Sequence, residues 1–132
     1  QAQVLNLLSE IKRQRSLSLL FISHDLSVVK HVSDRLLVLY LGHVMEVGPA
    51  KDIYASPQHP YTRALLSAVP TIDFSDNKPK RTRLTGELPS PTVEHVGCPF
   101  ASRCPIAQQV CSEQKPQLNQ IEGRDVACHF PG

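Results

Sequence analysis

The sequence predicts an α/β domain followed by a small, irregular module rich in cysteine. Three observations carry this expectation. Up to about Gly48 the apolar residues alternate between helical and strand spacing. All 11 prolines lie at Pro49 or later. All four cysteines lie at Cys98 or later, so the chain changes character along its length. A chain of 132 residues buries one modest core, and a hydrophobic fraction of 41% is enough to build it. One small domain with an appendage is the expected organisation.

Taken in order, Val4, Leu5, Leu7, Leu8 and Ile11 recur at helical spacing and predict an opening helix to about Arg15. The start, Gln1-Ala2-Gln3, has no methionine and enters the helical pattern at once, as a cut chain would. The apolar run Leu17-Ser18-Leu19-Leu20-Phe21-Ile22 predicts a strand buried on both faces. After His24 and Asp25 comes a short amphipathic helix in which Leu26, Val29 and Val32 share a face, with Asp25 placed favourably against the helix dipole. A second strand follows, Leu36-Leu37-Val38-Leu39-Tyr40. Gly42 then permits a turn, and residues 43–47 return antiparallel until Gly48-Pro49 ends the strand. Helix, strand, helix, strand and hairpin make an α/β fragment over residues 1–48.

Residues 49–70 predict two short helices, 50–55 and 61–68, separated by the breaker sequence Ser56-Pro57-Gln58-His59-Pro60 and able to cap the sheet. Residues 71–96 contain Lys78, Lys80, Arg81, Arg83 and the extended Leu88-Pro89-Ser90-Pro91. They show little periodicity and read as a linker, their basic run as a solvated face. Residues 97–132 form the Cys-rich module. The net charge of +2 is too mild for a nucleic-acid surface, so no nucleic-acid partner is expected. No apolar run has the length that spans a bilayer and no secretion signal is seen, so the chain reads as soluble and cytoplasmic.

His24 would stand at the carboxyl end of the first predicted strand, where ligands of open α/β sheets collect. Spacing alone equally allows it to cap the next helix or pack on the hairpin. The wording around it, Leu20-Phe21-Ile22-Ser23-His24-Asp25-Leu26, then Ser33-Asp34-Arg35 and Gly42-His43-Val44-Met45-Glu46-Val47-Gly48, resembles the end of an ABC-transporter ATPase. That resemblance implies the C-terminal remnant of a P-loop ABC ATPase domain. It also implies that His24 is the catalytic switch residue, contacting the γ-phosphate and helping to position the attacking water. The chemistry suits an imidazole, because phosphoryl transfer rests on positioning and charge stabilisation. None of the six glycines opens a G-x-x-x-x-G-K-[ST] loop, and neither a signature motif nor a metal-binding acidic strand is found. The family places those elements upstream of Gln1. ATP and Mg are therefore expected only in the complete parent, and this polypeptide alone is expected neither to bind nor to hydrolyse ATP.

The run His59-Pro60-Tyr61-Thr62-Arg63-Ala64-Leu65-Leu66-Ser67-Ala68-Val69-Pro70 is similar to the motif that marks oligopeptide and dipeptide importer ATPases. Locally these residues read as structural: Pro60 sets a helix entry, Tyr61 anchors it, and Ala64, Leu65 and Ala68 pack. Leu84-Thr85-Gly86-Glu87-Leu88-Pro89-Ser90-Pro91 and Cys98-Pro99-Phe100-Ala101-Ser102-Arg103-Cys104-Pro105 continue the resemblance. It implies a parent that hydrolyses ATP to import short peptides. Such a parent pairs with a second ATPase subunit and transmembrane permease subunits, is fed by a binding protein, and lies on the inner face of the cell membrane. Related members carry nickel, so the cargo is not fixed.

Cys98, Cys104, Cys111 and Cys128 have five, six and sixteen residues between successive members, close enough for one small site. Three readings compete: disulfides or free thiols, zinc, and an iron–sulfur cluster. A cytoplasmic setting disfavours disulfides, and zinc usually takes tighter knuckles, while four thiolates hold a cluster across varied loops. The family resemblance favours a [4Fe–4S] cluster on these four cysteines, with zinc as the alternative. A module with few periodic apolar positions needs such a staple to order it. His95 and His129 are left out of the ligand set. The rival to an ATPase fragment is an independent metal-binding interaction module, and exposed strand edges would favour self-association of the fragment.

Overall fold

The computed structural model describes residues 2–69 and 84–132. The expected basic stretch from Lys78 to Arg83 lies outside the described residues. Helix α1 (Ala2–Arg15) ends on Lys12, Arg13 and Arg15, cations that suit the negative end of its dipole. Helix α2 (Leu26–Val32) starts at Asp25, whose Oδ1 accepts the N–H groups of Ser27 (3.0 Å) and Val28 (3.2 Å). The Lys12–Asp34 ion pair joins the last turn of α1 to the end of that segment.

Strands β1 (Arg35–Tyr40) and β2 (His43–Pro49) form the predicted hairpin. Leu41 and Gly42 both have positive φ, as a two-residue hairpin loop of this twist demands. The register slips between Val38 and Leu39, leaving Met45 as an extra residue on β2. Helices α3 (Ala50–Ala55) and α4 (Pro60–Ser67) follow close to their predicted places. The Cys-rich segment then contributes a 3₁₀ turn (Ala101–Arg103), helix α5 (Gln109–Glu113) and strands β3 (Asn119–Ile121) and β4 (Arg124–Val126). Glu122 and Gly123 make a second two-residue loop with positive φ at both positions. The result is one antiparallel sheet in the order β1-β2-β4-β3.

Two expectations are corrected. Residues 17–22 form no strand, and Leu20 and Ile22 are 91% and 88% exposed. A strand exists only where its backbone donors and acceptors find a ladder, and no described strand pairs with this segment. Residues 97–132 are more regular than their composition implies, because β4 takes its ladder from β2 through Glu46–Val126 and Val47–Asp125. The core sits at this junction. Tyr40 and Met45 from the hairpin bury against Phe100 from the Cys-rich segment, and Leu84, from the predicted linker, packs against them. Among the described residues no helix is long and apolar enough to cross a membrane.

Candidate functional site

The four cysteines are carried by four short pieces of backbone. Cys98 opens the 3₁₀ turn and its carbonyl accepts the Ala101 N–H (3.0 Å), while Cys104 closes that turn on the Ala101 carbonyl. Cys111 lies on α5. The Cys98 N–H donates to the Cys111 carbonyl at 2.7 Å, which joins the turn to the helix. Only glycine permits this approach, since a Cβ on Gly97 would lie 2.2 Å from the Cys111 carbonyl oxygen. Cys128 follows β4, anchored by the Ala127 N–H on the Met45 carbonyl (2.9 Å).

These pieces bring all four cysteines to one small cleft, partly open to solvent and otherwise lined mainly by Phe100, Ile106, Phe130, Pro60 and His59. All four are free thiols, Cys111 the most buried. Burial pushes the thiols of Cys98, Cys104 and Cys128 up from their ordinary pKa. Opposing this, backbone amides hydrogen-bond to the sulfurs and favour the thiolates: those of Phe100 and Ala101 at Cys98, of Ile106 at Cys104, and of Phe130 at Cys128. The predicted convergence of the four cysteines is therefore present. The metal centre expected there is not shown: among the described residues no group of three or more His, Cys, Asp or Glu side chains is arranged to hold a metal ion.

His59, at the wall of the cleft, is almost fully buried. It is the N-cap of α4, its Nδ1 accepting the Tyr61 N–H at 3.0 Å. Burial lowers its pKa from 6.5 to about 4, so the ring is neutral at neutral pH. Its Nε2 is buried without a hydrogen-bond partner. The backbone beneath it is clamped by Glu46, fully buried on β2, whose carboxylate accepts the N–H groups of Gln58 (3.0 Å) and His59 (3.0 Å). Arg124 on β4 approaches Glu46 at 3.5 Å and donates to the carbonyls of Asp52 (3.0 Å) and Ser56 (2.6 Å). Sequence reasoning missed this Glu46–Arg124 clamp. The available signal was one acid inside the apolar run Val44-Met45-Glu46-Val47.

His24 lies apart from the cleft, exposed in a bend between the irregular segment 17–22 and the Asp25 cap. The cap of α2 is made by Asp25 and not by His24. His129 also lines the cleft, and its Nε2 hydrogen-bonds the Gln114 carbonyl at 2.8 Å.

The family described as the oligopeptide/dipeptide transporter C-terminal region matches residues 45–111. The chain is 53% identical over 132 residues to the putative oligopeptide transport ATP-binding protein YkfD of Bacillus subtilis, spanning 98% of this chain and 40% of that protein. It is 52% identical over 129 residues to the oligopeptide transport ATP-binding protein OppF of Escherichia coli, spanning 97% of this chain and 39% of that protein. The di/tripeptide transport ATP-binding protein DppF of Pseudomonas aeruginosa is 50% identical over 129 residues, 98% of this chain and 40% of that protein. The chain thus spans about two fifths of the length of these relatives.

Proposed function

This chain belongs to the oligopeptide/dipeptide transporter C-terminal-region family, and from that premise we propose that it is the C-terminal portion of the ATP-hydrolysing subunit of an importer for oligopeptides or dipeptides. The observation that carries the reading is identity of half or more, across nearly the whole chain, to ATP-binding proteins of peptide transport. In this reading residues 1–48 end the nucleotide-binding domain and residues 49–70 cap it. Residues 71–96 link it to the Cys-rich module of residues 97–132. The partners are a second ATPase subunit and transmembrane permease subunits at the inner membrane face.

The exposed apolar segment 17–22 supports this assignment. Leu17, Leu19, Leu20, Phe21 and Ile22 face solvent in this chain, as a strand does when the neighbours that would flank it lie in the other three fifths of the subunit. Within the whole subunit His24 would then stand at a strand end and donate a hydrogen bond to a γ-phosphate oxygen. This chain holds no phosphate loop of its own, so alone it binds no nucleotide.

The rival reading, an independent metal-binding module, requires residues 97–132 to fold alone. The β2–β4 ladder and the core shared by Phe100, Tyr40 and Met45 favour the joint unit. For the cleft we assign a [4Fe–4S] cluster on Cys98, Cys104, Cys111 and Cys128, with zinc as the alternative. The support is the donor set: four cysteines line one cleft, and backbone amides favour the thiolate at three of them. When bound, the cluster supplies four metal–thiolate bonds that cross-link the loops.

Two measurements test the proposal. Grafted in place of the corresponding region of a relative, the chain should support ATP-driven uptake of a labelled short peptide, and His24→Ala should abolish it. Tight Mg-dependent ATP binding by the isolated chain would contradict the fragment reading. Iron, sulfide and zinc content of protein prepared without oxygen, with its visible absorption, tests the cleft assignment; a colourless, zinc-loaded protein would overturn the cluster.

A further inference from the structure

Resting on the iron–sulfur reading of the cleft, we infer that His59 is a positioning residue for what the cleft holds, its Nε2–H donating a hydrogen bond to a sulfur acceptor, either a cysteine thiolate or inorganic sulfide. The ring's protonation pattern follows from its partners. A backbone N–H can only donate, so Nδ1, which accepts from Tyr61 at 3.0 Å, carries no proton. The neutral ring therefore carries its proton on Nε2, and that atom is buried without a partner among the described residues. A buried N–H left unpaired is costly and rare, so its persistence at the wall of a cleft calls for an acceptor there.

The lining narrows what that acceptor is. Phe100, Ala101, Ile106, Phe130 and Pro60 offer no side-chain oxygen, and the Nε2 of His129 is already engaged with Gln114. Sulfur is the acceptor chemistry the lining side chains supply. The choice of residue points the same way. Asn, Asp, Ser and Thr are the better N-caps, but an imidazole accepts at one ring nitrogen and donates from the other. The donor is also held still: the His59 N–H is fixed on Glu46 Oε2 at 3.0 Å and the ring on the Tyr61 N–H. A hydrogen bond to a cluster sulfur stabilises the more negative, reduced state and raises the reduction potential.

Two substitutions separate the donor from the cap. His59→Asn keeps an acceptor for the Tyr61 N–H and removes the donor at the Nε2 position. His59→Gln keeps a donor near that position and gives up the cap. In the full chain, reconstituted without oxygen from iron and sulfide, His59→Asn should lower the reduction potential while keeping near-normal stability. His59→Gln should lose stability while keeping a near-normal potential. A loaded His59→Asn protein with the wild-type potential overturns the inference, as does an equal shift in both variants, which would indicate ring packing alone. Should either variant fail to load, the wild-type protein labelled with ¹⁵N in its histidine rings decides. Hyperfine coupling of one ring nitrogen to the reduced cluster is expected, and its absence overturns the inference. A wild-type chain that takes up neither iron nor sulfide overturns the iron–sulfur reading, and the inference with it.

Discussion

Replacing Arg124 with leucine should be the most destabilising single change in the clamp beneath the cleft. Arg124 is 5% exposed and Glu46 wholly buried, so neither charge is compensated by water. The substitution removes the cation from Glu46 and strips two charge-assisted hydrogen bonds from the carbonyls of Asp52 and Ser56. Breaking a buried pair by removing one partner costs about 3–5 kcal/mol, against a total stability on the order of 5–15 kcal/mol for a domain. Glu46 keeps its two amide donors from Gln58 and His59, which places the expected loss toward the lower end of that range. Urea unfolding of wild type and variant measures it. Hydrogen exchange at the Ala127 amide, bonded to Met45 across the β2–β4 seam, should quicken in parallel. The companion Glu46→Gln should be non-additive with Arg124→Leu, with a coupling of roughly 0.5–3 kcal/mol. A loss below about 1 kcal/mol for Arg124→Leu, or strict additivity, would refute the clamp as the tie between the hairpin and the Cys-rich segment.

Gly97→Ala places a Cβ 2.2 Å from the Cys111 carbonyl and 2.6 Å from the Ser112 backbone, so the turn must part from α5; a destabilisation of about 1–3 kcal/mol by chemical denaturation, with weaker retention of any metal, is expected. Asp25→Ala removes the acceptor for two amides of α2 and should cost about 0.5–2 kcal/mol, read as faster hydrogen exchange at Ser27 and Val28. In the metal-free protein the depressed pKa of His59 makes stability pH-dependent. The unfolded chain takes up a proton near pH 6.5 and the folded chain only near pH 4, so stability is full above about pH 6.5 and falls as pH drops toward 4. The span corresponds to about 3 kcal/mol on an order-of-magnitude scale. His59→Asn should flatten that slope in a series of denaturation curves.

What was legible in the sequence is what neighbouring residues decide among themselves. The β1–β2 hairpin follows from two apolar runs around Leu41-Gly42, and α4 from Pro60 at its first position. Asp25 was read correctly as favourable at the start of α2. Residues 17–22 depend on more than their neighbours in sequence. An apolar run reports the burial a segment requires and says nothing of which backbone supplies its ladder, so a strand was expected where this chain has no partner for one. The β3–β4 hairpin was missed for a different reason. Its three-residue strands are too short to display a period, although Glu122-Gly123 is a turn signal of the same kind as Leu41-Gly42.

The site divides along the same line. Cysteine spacing showed that four thiols lie close enough in sequence to share a ligand, and they do line one cleft. Spacing could not show that the wall of the cleft is completed by His59, 39 residues before Cys98, nor that Glu46 and Arg124, 78 apart in sequence, hold that histidine and Cys128 in one frame. The His-Pro-Tyr segment and the cysteine segment read as separate motifs, one a helix entry and the other a metal staple. In the fold they share a single buried network running from Arg124 through Glu46 to the His59 backbone, and His59 lines the same cleft as the four cysteines. Anything that binds the four cysteines therefore also stiffens the entry to α4, and anything that displaces α4 disturbs the cleft. A change in ligand occupancy at the cysteines should accordingly be felt at Tyr61 and Phe100, whose rings meet at a tilt with centroids 5.4 Å apart between the two segments.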